Sequence, residues 1–505
     1  MADKVIVCGC EDVSTTDIAR AISLGHRDIE SVKRYTGLGT GPCQGKSCLA
    51  GAMKLCALAG LPKSGQVPFR ARPPLQPTAL AHYAGLPLEA VEQPGQTGAS
   101  AAAPSGSVAK DGQRNFAPGL KSREPLPDRV DTVIIGGGII GLSLAWNLMK
   151  RGAKSVLVLE RGYLCAGASG RNGGGVRAQW TTPTLIELAK ESIAFMGDFA
   201  QELGINVWLR KGGYLFLAHD AETVTRIEQG AALHRRHGLP TKILSPDEAA
   251  QIVPELDRTR FVAASWNPDD GVVFPWPFVW GYADGARKLG ARIEPFTRVT
   301  GLDVEAGRVT AVRTDRGVVK ADRVVIASGA WSPEVAALAG VLLPNRPYRH
   351  EIVSSEPLKP FLGPLVSMLG TGLYFSQSMR GEIVGGMGDH DEPAAANQES
   401  SLRFLARYSK ALTEAMPIVG QVKLLRQWAG LYDVTPDGSP VVGETPGVAG
   451  LLQVSGFVGY GFMMAPAVGR RMAEWMGGAK DDFFTRFALS RFAEGRSERE
   501  TMHIG

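Results

Sequence analysis

Residues 130–162, VDTVIIGGGIIGLSLAWNLMKRGAKSVLVLERG, decide the fold. An apolar run leads directly into Gly136, Gly138 and Gly141, which are spaced as G-x-G-x-x-G, and a segment with apolar residues at helical spacing follows. The first glycine permits a tight turn, the second lets the backbone approach a pyrophosphate, and the third lets the helix pack closely on the strand. The stretch therefore predicts a Rossmann-type βαβ unit that binds a dinucleotide.

The end of the same stretch supports this interpretation. A second apolar run ends at Glu160, where a carboxylate can accept hydrogen bonds from ribose hydroxyls. The helix after the glycines presents free N–H groups and a positive dipole end to the phosphates. A membrane-spanning helix is an alternative that the length allows, but Asp131, Asn147 and three consecutive glycines argue against it. A purely structural βαβ unit would not need three glycines in this spacing.

Composition bounds the rest of the chain. It has 505 residues, which suggests two or three domains, and its 44% hydrophobic and 21% charged residues are typical of globular proteins. A formal net charge of +5 without a dense basic run disfavours nucleic acid as a partner. The first residues, MADKVIVCGCEDV, lack the apolar core of a signal peptide. We therefore expect a cytoplasmic protein without a membrane span, whose cysteines are ligands or buried thiols rather than disulfides.

Four of the six cysteines lie in the first fifty residues, at Cys8, Cys10, Cys43 and Cys48. They form a C-x-C pair and a C-x4-C pair, with two short helical patterns between them and a third after them. Four thiolates on two loops are the ligand set of a metal or iron–sulfur centre, which would also add folding energy to a unit with a small core. Zinc is an alternative that this spacing disfavours, because zinc ribbons favour C-x2-C pairs.

The N-terminal segment resembles the bacterioferritin-associated-ferredoxin-like 2Fe–2S domain, in the version found in multi-subunit amino-acid dehydrogenases. The resemblance rests on the two cysteine pairs, on GPCQGKSC (41–48) and on RPPLQP (72–77). It implies a 2Fe–2S cluster on the four cysteines, within a domain at 1–62. Residues 63–128 are rich in Pro, Ala, Gly and Ser and predict a linker, and we expect Cys56 and Cys165 to be buried apolar residues.

Later segments resemble the D-amino-acid-oxidase-like family of FAD enzymes, most closely the sarcosine oxidase β subunit and the catalytic subunits of opine, proline or hydroxyproline dehydrogenases. The resemblance covers roughly residues 130–490. It implies an α/β fold in which a Rossmann-type FAD-binding domain is interleaved with a mixed-sheet substrate domain, preceded by the small helical 2Fe–2S domain. The segments that carry it are AGASGRNGGGVRAQW (166–180), GGYLFLA (212–218), VVIASGAWS (324–332), LYFSQSMRGEIVGG (373–386), WAGLYDVTPDGSPVVG (428–443) and GFVGYGFMMAPAVG (456–469).

The resemblance also implies domain boundaries and cofactor contacts. The FAD-dependent oxidoreductase would occupy 129–495, with FAD-binding parts at about 129–210, 290–345 and 425–495 and substrate-binding parts at about 211–289 and 346–424. Carried over residue by residue, the family's pattern implies FAD contacts at Gly136, Gly138, Ile139, Ile140, Gly141, Glu160, Arg161, Ala168, Ser169, Arg171, Asn172, Gly173, Gly174, Val299, Ser328, Gly329, Trp331, Gly430, Gly456, Gly459, Tyr460, Gly461, Phe462 and Met463.

Enzymes of this family move a hydride from the carbon beside an amine nitrogen to the flavin, and they need a clamp for the substrate carboxylate. Arg177 matches the family's carboxylate-binding arginine, and a bidentate guanidinium suits that task. The structural alternative is an arginine that binds a carbonyl or a neighbouring carboxylate. Arg349, His350 and Tyr374 are further candidates for the pocket, and His350 has the alternative of a satisfied core histidine.

Two positions depart from the sarcosine oxidase pattern. Met463 stands where those oxidases carry a lysine close to flavin N5, a catalytic position tied to oxygen reactivity. Pro275 stands nearest to the histidine that holds a second flavin, FMN, covalently. Because proline cannot hold FMN covalently, a second flavin would be a non-covalent FMN at a subunit interface. Because Met463 carries no charge, we expect slow reaction with oxygen.

These features predict an FAD-dependent dehydrogenase that oxidises the C–N bond of a secondary or N-substituted amino acid, such as an opine, sarcosine, proline or hydroxyproline. Its electrons would leave through the 2Fe–2S cluster, in a hetero-oligomer with a second flavin or ferredoxin-type subunit. A glycine-oxidising, cyanide-synthase-like subunit is a related alternative. Two alternatives belong to other functional classes. One is an electron-transfer subunit without its own substrate, and the other is a structural or iron-handling module. The complete flavin signature argues against the structural or iron-handling module.

Overall fold

The computed structural model describes residues 5–61, 68–69, 72–88, 124–389, 391–497 and 499–500. Most of the predicted linker lies outside the described residues. The strands of the described part are, in chain order, β1 (Ile6–Cys8), β2 (Val13–Ser14), β3 (Thr78–Ala79), β4 (Arg129–Ile135), β5 (Val156–Leu159), β6 (Gly175–Val176), β7 (Tyr214–Ala218), β8 (Lys242–Leu244), β9 (Ala263–Asn267), β10 (Gly271–Val272), β11 (Arg292–Glu294), β12 (Val299–Glu305), β13 (Arg308–Thr314), β14 (Gly317–Ile326), β15 (Arg346–Pro357), β16 (Leu365–Met368), β17 (Tyr374–Gln377), β18 (Glu382–Met387), β19 (Lys423–Val434), β20 (Val441–Glu444) and β21 (Leu451–Ser455).

The α-helices of the same ranges are numbered separately, and short 3₁₀ turns are left unnumbered. They are α1 (Thr15–Ser23), α2 (Ile29–Thr36), α3 (Leu49–Leu58), α4 (Leu80–Ala84), α5 (Ile139–Lys150), α6 (Pro183–Leu203), α7 (Ala221–Arg236), α8 (Pro246–Ile252), α9 (Pro275–Lys288), α10 (Ser332–Ala337), α11 (Leu402–Ala415), α12 (Gly461–Met476) and α13 (Asp482–Arg486).

The N-terminal unit packs α1, α2 and α3 around a small core of its own. Ser14 and Asp17 form a capping box at the start of α1. Asp28 caps α2, because its carboxylate accepts a hydrogen bond of 2.8 Å from the Ser31 N–H. Buried side chains from all three helices fill the centre, among them Ile18, Ile22, Val32, Ala52 and Cys56.

The first large sheet is built around β4, the strand that leads into the glycine motif. Its strand order is β11-β5-β4-β14-β13-β12, and β21 also pairs with β14. β4 runs parallel to both β5 and β14, and its residues Val133, Ile134 and Ile135 are all buried, as expected for a central parallel strand covered on both faces. The next element, α5, packs against α9 and α12. This is the predicted Rossmann-type unit.

The motif glycines are required by close approach. A Cβ at Gly141 would lie 2.2 Å from the Gly136 carbonyl oxygen, so a larger residue would push α5 away from β4. Gly136 has φ of 124°, which favours glycine, and a Cβ there would lie 2.3 Å from the Ala327 carbonyl oxygen. The spacing of the motif therefore fixes how the helix packs on the sheet.

The second large sheet is mixed, with the strand order β3-β19-β15-β18-β17-β16-β7-β9-β8. Its neighbours are antiparallel except β7 and β16, which run parallel. The edge strand β3 and helix α4 come from the stretch that the sequence predicts as a linker. There β3 pairs with β19, and α4 packs on α11 with Leu80 fully buried. Residues 78–84 thus belong to the second sheet and its helical cover.

The chain crosses twice from the first sheet into the second. Strands β7–β9 are inserted between β5 and β11, and β15–β19 are inserted between β14 and β20. The predicted fold class, an FAD-binding domain interleaved with a mixed-sheet domain, is confirmed. In the ranges that the structure describes, no helix is both long enough and apolar enough to cross a bilayer.

Candidate active site

A cavity of about 720 Å³ is lined by residues of both large sheets. Its walls come from the ends of β4, β5 and β14, from residues 163–177, from the middle of β19 and from the start of α12. All of the predicted cofactor and substrate residues line it except Gly141, Gly456 and Arg349. The fold therefore brings segments that are hundreds of residues apart into one site.

The cofactor end of the cavity consists largely of backbone. The Gly137 and Gly162 N–H groups donate to the two oxygens of the Glu160 carboxylate, at 2.9 and 2.7 Å. The Ile139 N–H, in the first turn of α5, donates to the Ser169 hydroxyl at 3.0 Å. Burial raises the pKa of Glu160, although these N–H groups act to lower it.

These residues fit a dinucleotide such as FAD. Among the described atoms, a Cβ at Gly138 would meet the Ser169 hydroxyl at 3.4 Å and nothing else within 4 Å, so the backbone before α5 is open to the cavity. The N-cap of α5 makes no side-chain capping bond. A helix N-terminus of this kind binds pyrophosphate, and a carboxylate at the position of Glu160 binds ribose.

Arg171 ties the loop at 166–174 to β19. Its Nε donates to the Ala166 carbonyl at 3.0 Å and its Nη1 to the Ala429 carbonyl at 2.9 Å. Trp428 donates back, from Nε1 to the Arg171 carbonyl at 2.8 Å. This arginine therefore fixes the shape of the cavity wall through its hydrogen bonds to carbonyls.

The start of α12 forms the wall between the two ends of the cavity. A Cβ at Gly459 would lie 2.4 Å from the ring of Tyr432, so the chain passes directly over that ring. Tyr460 is the N-cap residue of α12, and its hydroxyl donates to the Gly438 carbonyl at 2.9 Å. Met463 follows in the first turn of the helix, partly buried and facing the cavity.

Arg177 lies at the other end of the cavity and is buried. Its guanidinium carbon is 3.6 Å from the centroid of the Trp180 ring and 5.8 Å from that of Tyr214. Burial lowers the pKa of Arg177, whereas the neighbouring carboxylates of Glu500 and Asp270 act to raise it. Its Nη1 donates to the Gln179 carbonyl, as the structural alternative predicts. The guanidinium has further N–H groups, so a cation held against these aromatic walls can still bind a carboxylate that enters the cavity.

His350, Tyr374 and Tyr432 form a neutral wall of the same pocket. The His350 ring stacks on Tyr432 with centroids 4.4 Å apart, and its Nε2 lies 3.1 Å from the Tyr374 hydroxyl. Burial lowers the pKa of His350 to about 4 and raises the pKa of Tyr374 well above its ordinary value. Both groups are therefore uncharged near neutral pH and can orient a substrate by hydrogen bonds.

Three predicted site residues lie outside the cavity lining. Arg349 precedes His350 on β15, where successive side chains point to opposite faces, and it pairs with Glu392 at 2.7 Å. Gly456 has φ of 78° and donates its N–H to the Asp433 carboxylate at 2.6 Å, behind the wall. Gly141 packs α5 on the sheet, which is the role that its place in the motif predicts.

Several residues of the substrate end are not predicted from the sequence. Tyr432 could have been predicted as a cavity residue, because it lies two residues after Gly430 on the same strand and a strand places such residues on one face. Asp270 accepts hydrogen bonds from the Ala178 N–H and from two side-chain amides behind Arg177. No motif marks Asp270 or Glu500, whereas Trp180 and Tyr214 lie within the family-like segments 166–180 and 212–218.

The four predicted ligand cysteines come together in the N-terminal unit. Cys10 lies beside Cys43, and Cys48 beside Cys8, close enough that the side chain of each neighbour acts to raise the pKa of the Cys10 or Cys48 thiol. A Cβ at Gly41 would lie 2.4 Å from the Cys10 Cβ, so this glycine lets the second loop approach the first. Within the part of the chain that the structure describes, no group of three or more His, Cys, Asp or Glu side chains is arranged as a site for a metal ion. The cluster stays a prediction.

A dinucleotide cavity closed by a mixed sheet with a buried guanidinium defines a class of protein, the flavin-dependent oxidoreductases. The family model described as FAD dependent oxidoreductase, DAO, matches residues 131–475, and the chain belongs to this family. A second family model, the sarcosine oxidase A3 domain, matches residues 2–86. That match extends beyond residue 62 and includes β3 and α4. The ferredoxin-like assignment of the N-terminal unit is not confirmed by it.

Individual relatives agree with the family. The chain is 32% identical over 391 residues to sarcosine oxidase subunit beta of Rhizobium meliloti, covering 76% of this chain and 93% of that protein. It is 34% identical to the crystal structure of L-proline dehydrogenase from P. horikoshii, with a TM-score of 0.70, covering 74% of this chain and 100% of that one. Glycine oxidase from Geobacillus kaustophilus is 26% identical, with a TM-score of 0.66, covering 75% of this chain and 100% of the other.

Proposed function

We propose that this FAD-dependent oxidoreductase is a dehydrogenase that oxidises the C–N bond of a secondary or N-substituted amino acid. The observation that carries the proposal is the buried Arg177 guanidinium at the end of an FAD cavity, within an aromatic pocket. The names of the relatives support it, because sarcosine and proline are both amino acids with a secondary amine.

The residues of the pocket divide the work of binding. Arg177 would hold the substrate carboxylate by a bidentate, charge-assisted pair of hydrogen bonds. The stacked rings of Tyr432 and His350 would exclude water from the carbon that loses hydride, and the hydroxyl of Tyr374 would orient the amine. FAD, when bound, supplies the hydride acceptor. The chain's own part is to place the substrate and keep the pocket dry.

The neutral state of His350 bears on the proton of the substrate amine. An ammonium nitrogen has no lone pair to support loss of hydride from the neighbouring carbon, so the reacting amine must be neutral. Burial lowers the pKa of His350 to about 4, so this ring is neutral at neutral pH. The effect on the amine comes from burial, because a pocket wall of uncharged rings disfavours an ammonium ion and so favours the neutral amine that has to react.

We also propose that Cys8, Cys10, Cys43 and Cys48 hold a 2Fe–2S cluster, which would supply a one-electron carrier. The two facing thiol pairs support this ligand set. The alternative of a structural N-terminal unit without a cluster is separated from it by iron and sulfide analysis of anaerobically purified protein.

The N-terminal unit is docked on the catalytic part beside these cysteines. Glu11, which follows Cys10, pairs with Arg380. The Thr40 carbonyl accepts a hydrogen bond from Arg426 of β19. Gly430, four residues along the same strand, lines the FAD cavity, so the docking contact and the cavity wall are separated by about 13 Å of extended chain. This proximity supports an electron exit within one chain.

A second docking contact lies at the flavin-side loop. The Arg34 Nη2 donates to the Tyr163 hydroxyl at 2.9 Å, and the guanidinium lies 4.5 Å from the Trp276 ring centroid. Burial, together with Arg34 and Arg171, lowers the pKa of Arg72 to about 10. Among the described residues, these half-buried arginines share only one carboxylate neighbour, Glu30, which pairs with Arg34. The cluster supports the further proposal of a non-covalent FMN, whose phosphate would offset the remaining positive charge, at an interface with a second flavin or ferredoxin-type subunit.

Anaerobic mixing with a panel of amino acids tests the proposed function. The panel contains sarcosine, L-proline, an opine and glycine, and the readout is bleaching of the flavin absorption. We expect bleaching by at least one secondary amino acid and none by glycine. Bleaching by glycine alone would favour the glycine-oxidising alternative, which the likeness to glycine oxidase supports. Flavin that no panel member reduces, but dithionite does, would contradict the proposal and favour an electron-transfer subunit.

A further inference from the structure

The C-terminal tail is fixed against the back of the substrate pocket. Arg491 and Asp437 form a fully buried bidentate ion pair, with N···O distances of 2.8 and 3.0 Å. Arg491 also donates to the Ser439 carbonyl at 2.9 Å. Further along, the Glu500 N–H donates to the Asp437 carbonyl at 3.3 Å. Asp437 thus holds two points of the tail, nine residues apart, against the loop before β20.

These contacts place the Glu500 side chain at the N-terminus of α6. Glu500 is fully buried, and its carboxylate accepts hydrogen bonds from the Thr181 N–H at 3.1 Å and from the Thr182 N–H at 2.9 Å. Thr182 is the N-cap residue of the 21-residue helix α6 but makes no side-chain capping bond. A carboxylate 318 residues away in the sequence therefore caps this helix and faces the positive end of its dipole.

The capped turn leads directly back to Arg177. Between Arg177 and the helix, the Trp180 indole N–H donates to the Arg177 carbonyl at 3.1 Å, and the Trp180 ring lies under the guanidinium at 3.6 Å. The Glu500 carboxylate is near enough to interact electrostatically with Arg177 and with the cavity residue Tyr460. The position of the guanidinium thus depends on a turn whose far end is held by Glu500.

We infer that Glu500 is a positioning residue for substrate binding, which acts through the turn at 177–182 on the Arg177 guanidinium. The inference rests on the proposed function, in which Arg177 binds the substrate carboxylate. It adds the tail to the substrate site, because Arg491 and Glu500 would set the place of the substrate carboxylate without contacting the substrate.

Two physical effects of removing the Glu500 charge have opposite signs, which makes the inference testable. If the carboxylate acted only as a nearby negative charge, its loss would strengthen the binding of an anionic ligand at Arg177. If it positions the turn, its loss would weaken that binding, because the guanidinium would no longer be held in a geometry for two parallel hydrogen bonds.

The experiment compares Glu500→Gln with Glu494→Gln, a control in the same tail whose exposed side chain pairs with Arg496. The probes are L-proline, which under the proposed function reduces the flavin, and tetrahydro-2-furoate, which keeps the ring and carboxylate but has no amine to oxidise. For Glu500→Gln we expect both to need about ten-fold higher concentration, with the limiting rate of flavin reduction changed by less than about two-fold. FAD content should be unchanged, and Glu494→Gln should behave as the unmodified enzyme.

Pyrrolidine, the ring of proline without its carboxylate, separates positioning from general damage. Its weaker reaction should be the same in Glu500→Gln and the unmodified enzyme, because it makes no use of Arg177. Tighter or unchanged binding of tetrahydro-2-furoate to Glu500→Gln would overturn the inference, and so would equal losses with pyrrolidine. If Glu500→Gln does not fold, Glu500→Asp, which keeps the charge but shortens the reach, should show the same selective loss at smaller size, and its absence would also overturn the inference.

Arg177→Ala keeps this test distinct from that of the proposed function. If Arg177→Ala leaves tetrahydro-2-furoate binding intact, the assignment of Arg177 fails and the inference about Glu500 with it, while the anaerobic panel still decides the proposed function. If Arg177→Ala weakens binding and Glu500→Gln does not, the proposed function stands and the role of the tail is refuted.

Discussion

At the cofactor end of the cavity, Gly136, Gly138 and Glu160 come from one continuous stretch of chain, whereas at the substrate end Arg177, His350 and Tyr432 come from three separate segments. The first end presents mostly backbone N–H groups, and the second presents buried side chains. A single added methyl group can therefore disrupt the cofactor end, while the substrate end is sensitive to the charge and the position of individual side chains.

Enlarging Gly141 should break the cofactor end and have the largest effect. The Cβ of Gly141→Val would lie 2.2 Å from a backbone oxygen, which has no room to move. We expect a loss of stability on the order of 3 kcal/mol or more and loss of bound FAD, measured by melting temperature and flavin content. Gly197→Ala, in α6 with no described atom within 4 Å of the new Cβ, is the control and should retain FAD. A Gly141→Val protein with normal flavin content would contradict this account.

Replacing a ligand cysteine should leave both ends of the cavity intact. Cys10→Ser or Cys43→Ser is expected to abolish the visible absorption of the proposed iron–sulfur cluster, because each thiolate would hold iron, without loss of FAD. Cys56→Ser is the control, since Cys56 is buried in the same unit but lies outside the pattern. Anaerobically purified protein that contains zinc and no iron would show the cluster assignment to be wrong.

Removing the guanidinium should break the substrate end alone. Arg177→Ala is expected to lose about 2–4 kcal/mol of apparent substrate binding or transition-state stabilisation, because a bidentate charged contact disappears. The measurement is the substrate concentration needed for anaerobic flavin reduction, at unchanged FAD content. Arg349→Ala, whose side chain pairs with Glu392 away from the cavity, is the matched control. Unaltered reduction kinetics in Arg177→Ala would leave this arginine a structural role.

The buried histidines should make the substrate end sensitive to acid. Burial lowers the pKa of His350 and of His234, which bonds the Trp180 carbonyl at 2.9 Å, from 6.5 to about 4. The unfolded chain takes up these protons first, so the stability that the neutral rings contribute is present above about pH 6.5 and is lost as the pH falls toward 4.

Melting temperatures at pH 7.5 and pH 5 measure this dependence, and it is the smallest effect expected. His350→Asn should lose less stability between the two pH values than the unmodified protein does. His219→Asn is the control, because the His219 side chain is exposed. Equal pH dependence in all three proteins would show that the buried rings do not determine the acid sensitivity.

The contrast between the two ends also explains what the sequence could predict. The glycine motif, its strand and helix, and Glu160 are local features, so their spacing alone indicated the unit around β4. The family resemblance extended the prediction to the segments that line the cavity from β14, β19 and α12. It gave the fold class correctly, because the order of these segments fixes the two insertions that build the second sheet.

Features that depend on tertiary contacts were missed. Residues 78–84 lack a strong periodic pattern and gain their structure by pairing with β19 and packing on α11. The sequence predicts both Arg349 and His350 as pocket residues, but neighbours on a strand face opposite sides, and only His350 lines the cavity. Glu500 lies 318 residues from the helix that it caps, and no local signal connects the two.

Met463 bears on whether the reduced flavin reacts with oxygen. Negative charge develops when oxygen reacts beside a reduced flavin, and a nearby cation would stabilise it. The thioether of Met463 carries no charge, and the cysteines that would hold a one-electron carrier are docked beside β19. The electrons would therefore leave through this carrier rather than through oxygen.

Sequential-mixing stopped-flow tests directly whether electrons leave the reduced flavin by a route other than oxygen. The enzyme is first bleached anaerobically with L-proline or with whichever secondary amino acid of the panel reduces it, and is then mixed with air-saturated buffer or with an artificial dye. We predict slow reoxidation by air and fast reoxidation by the dye. Rapid reoxidation by air that is also unchanged by Cys10→Ser, which removes one proposed cluster ligand and leaves β3 and α4 in place, would make the protein an oxidase and contradict this claim.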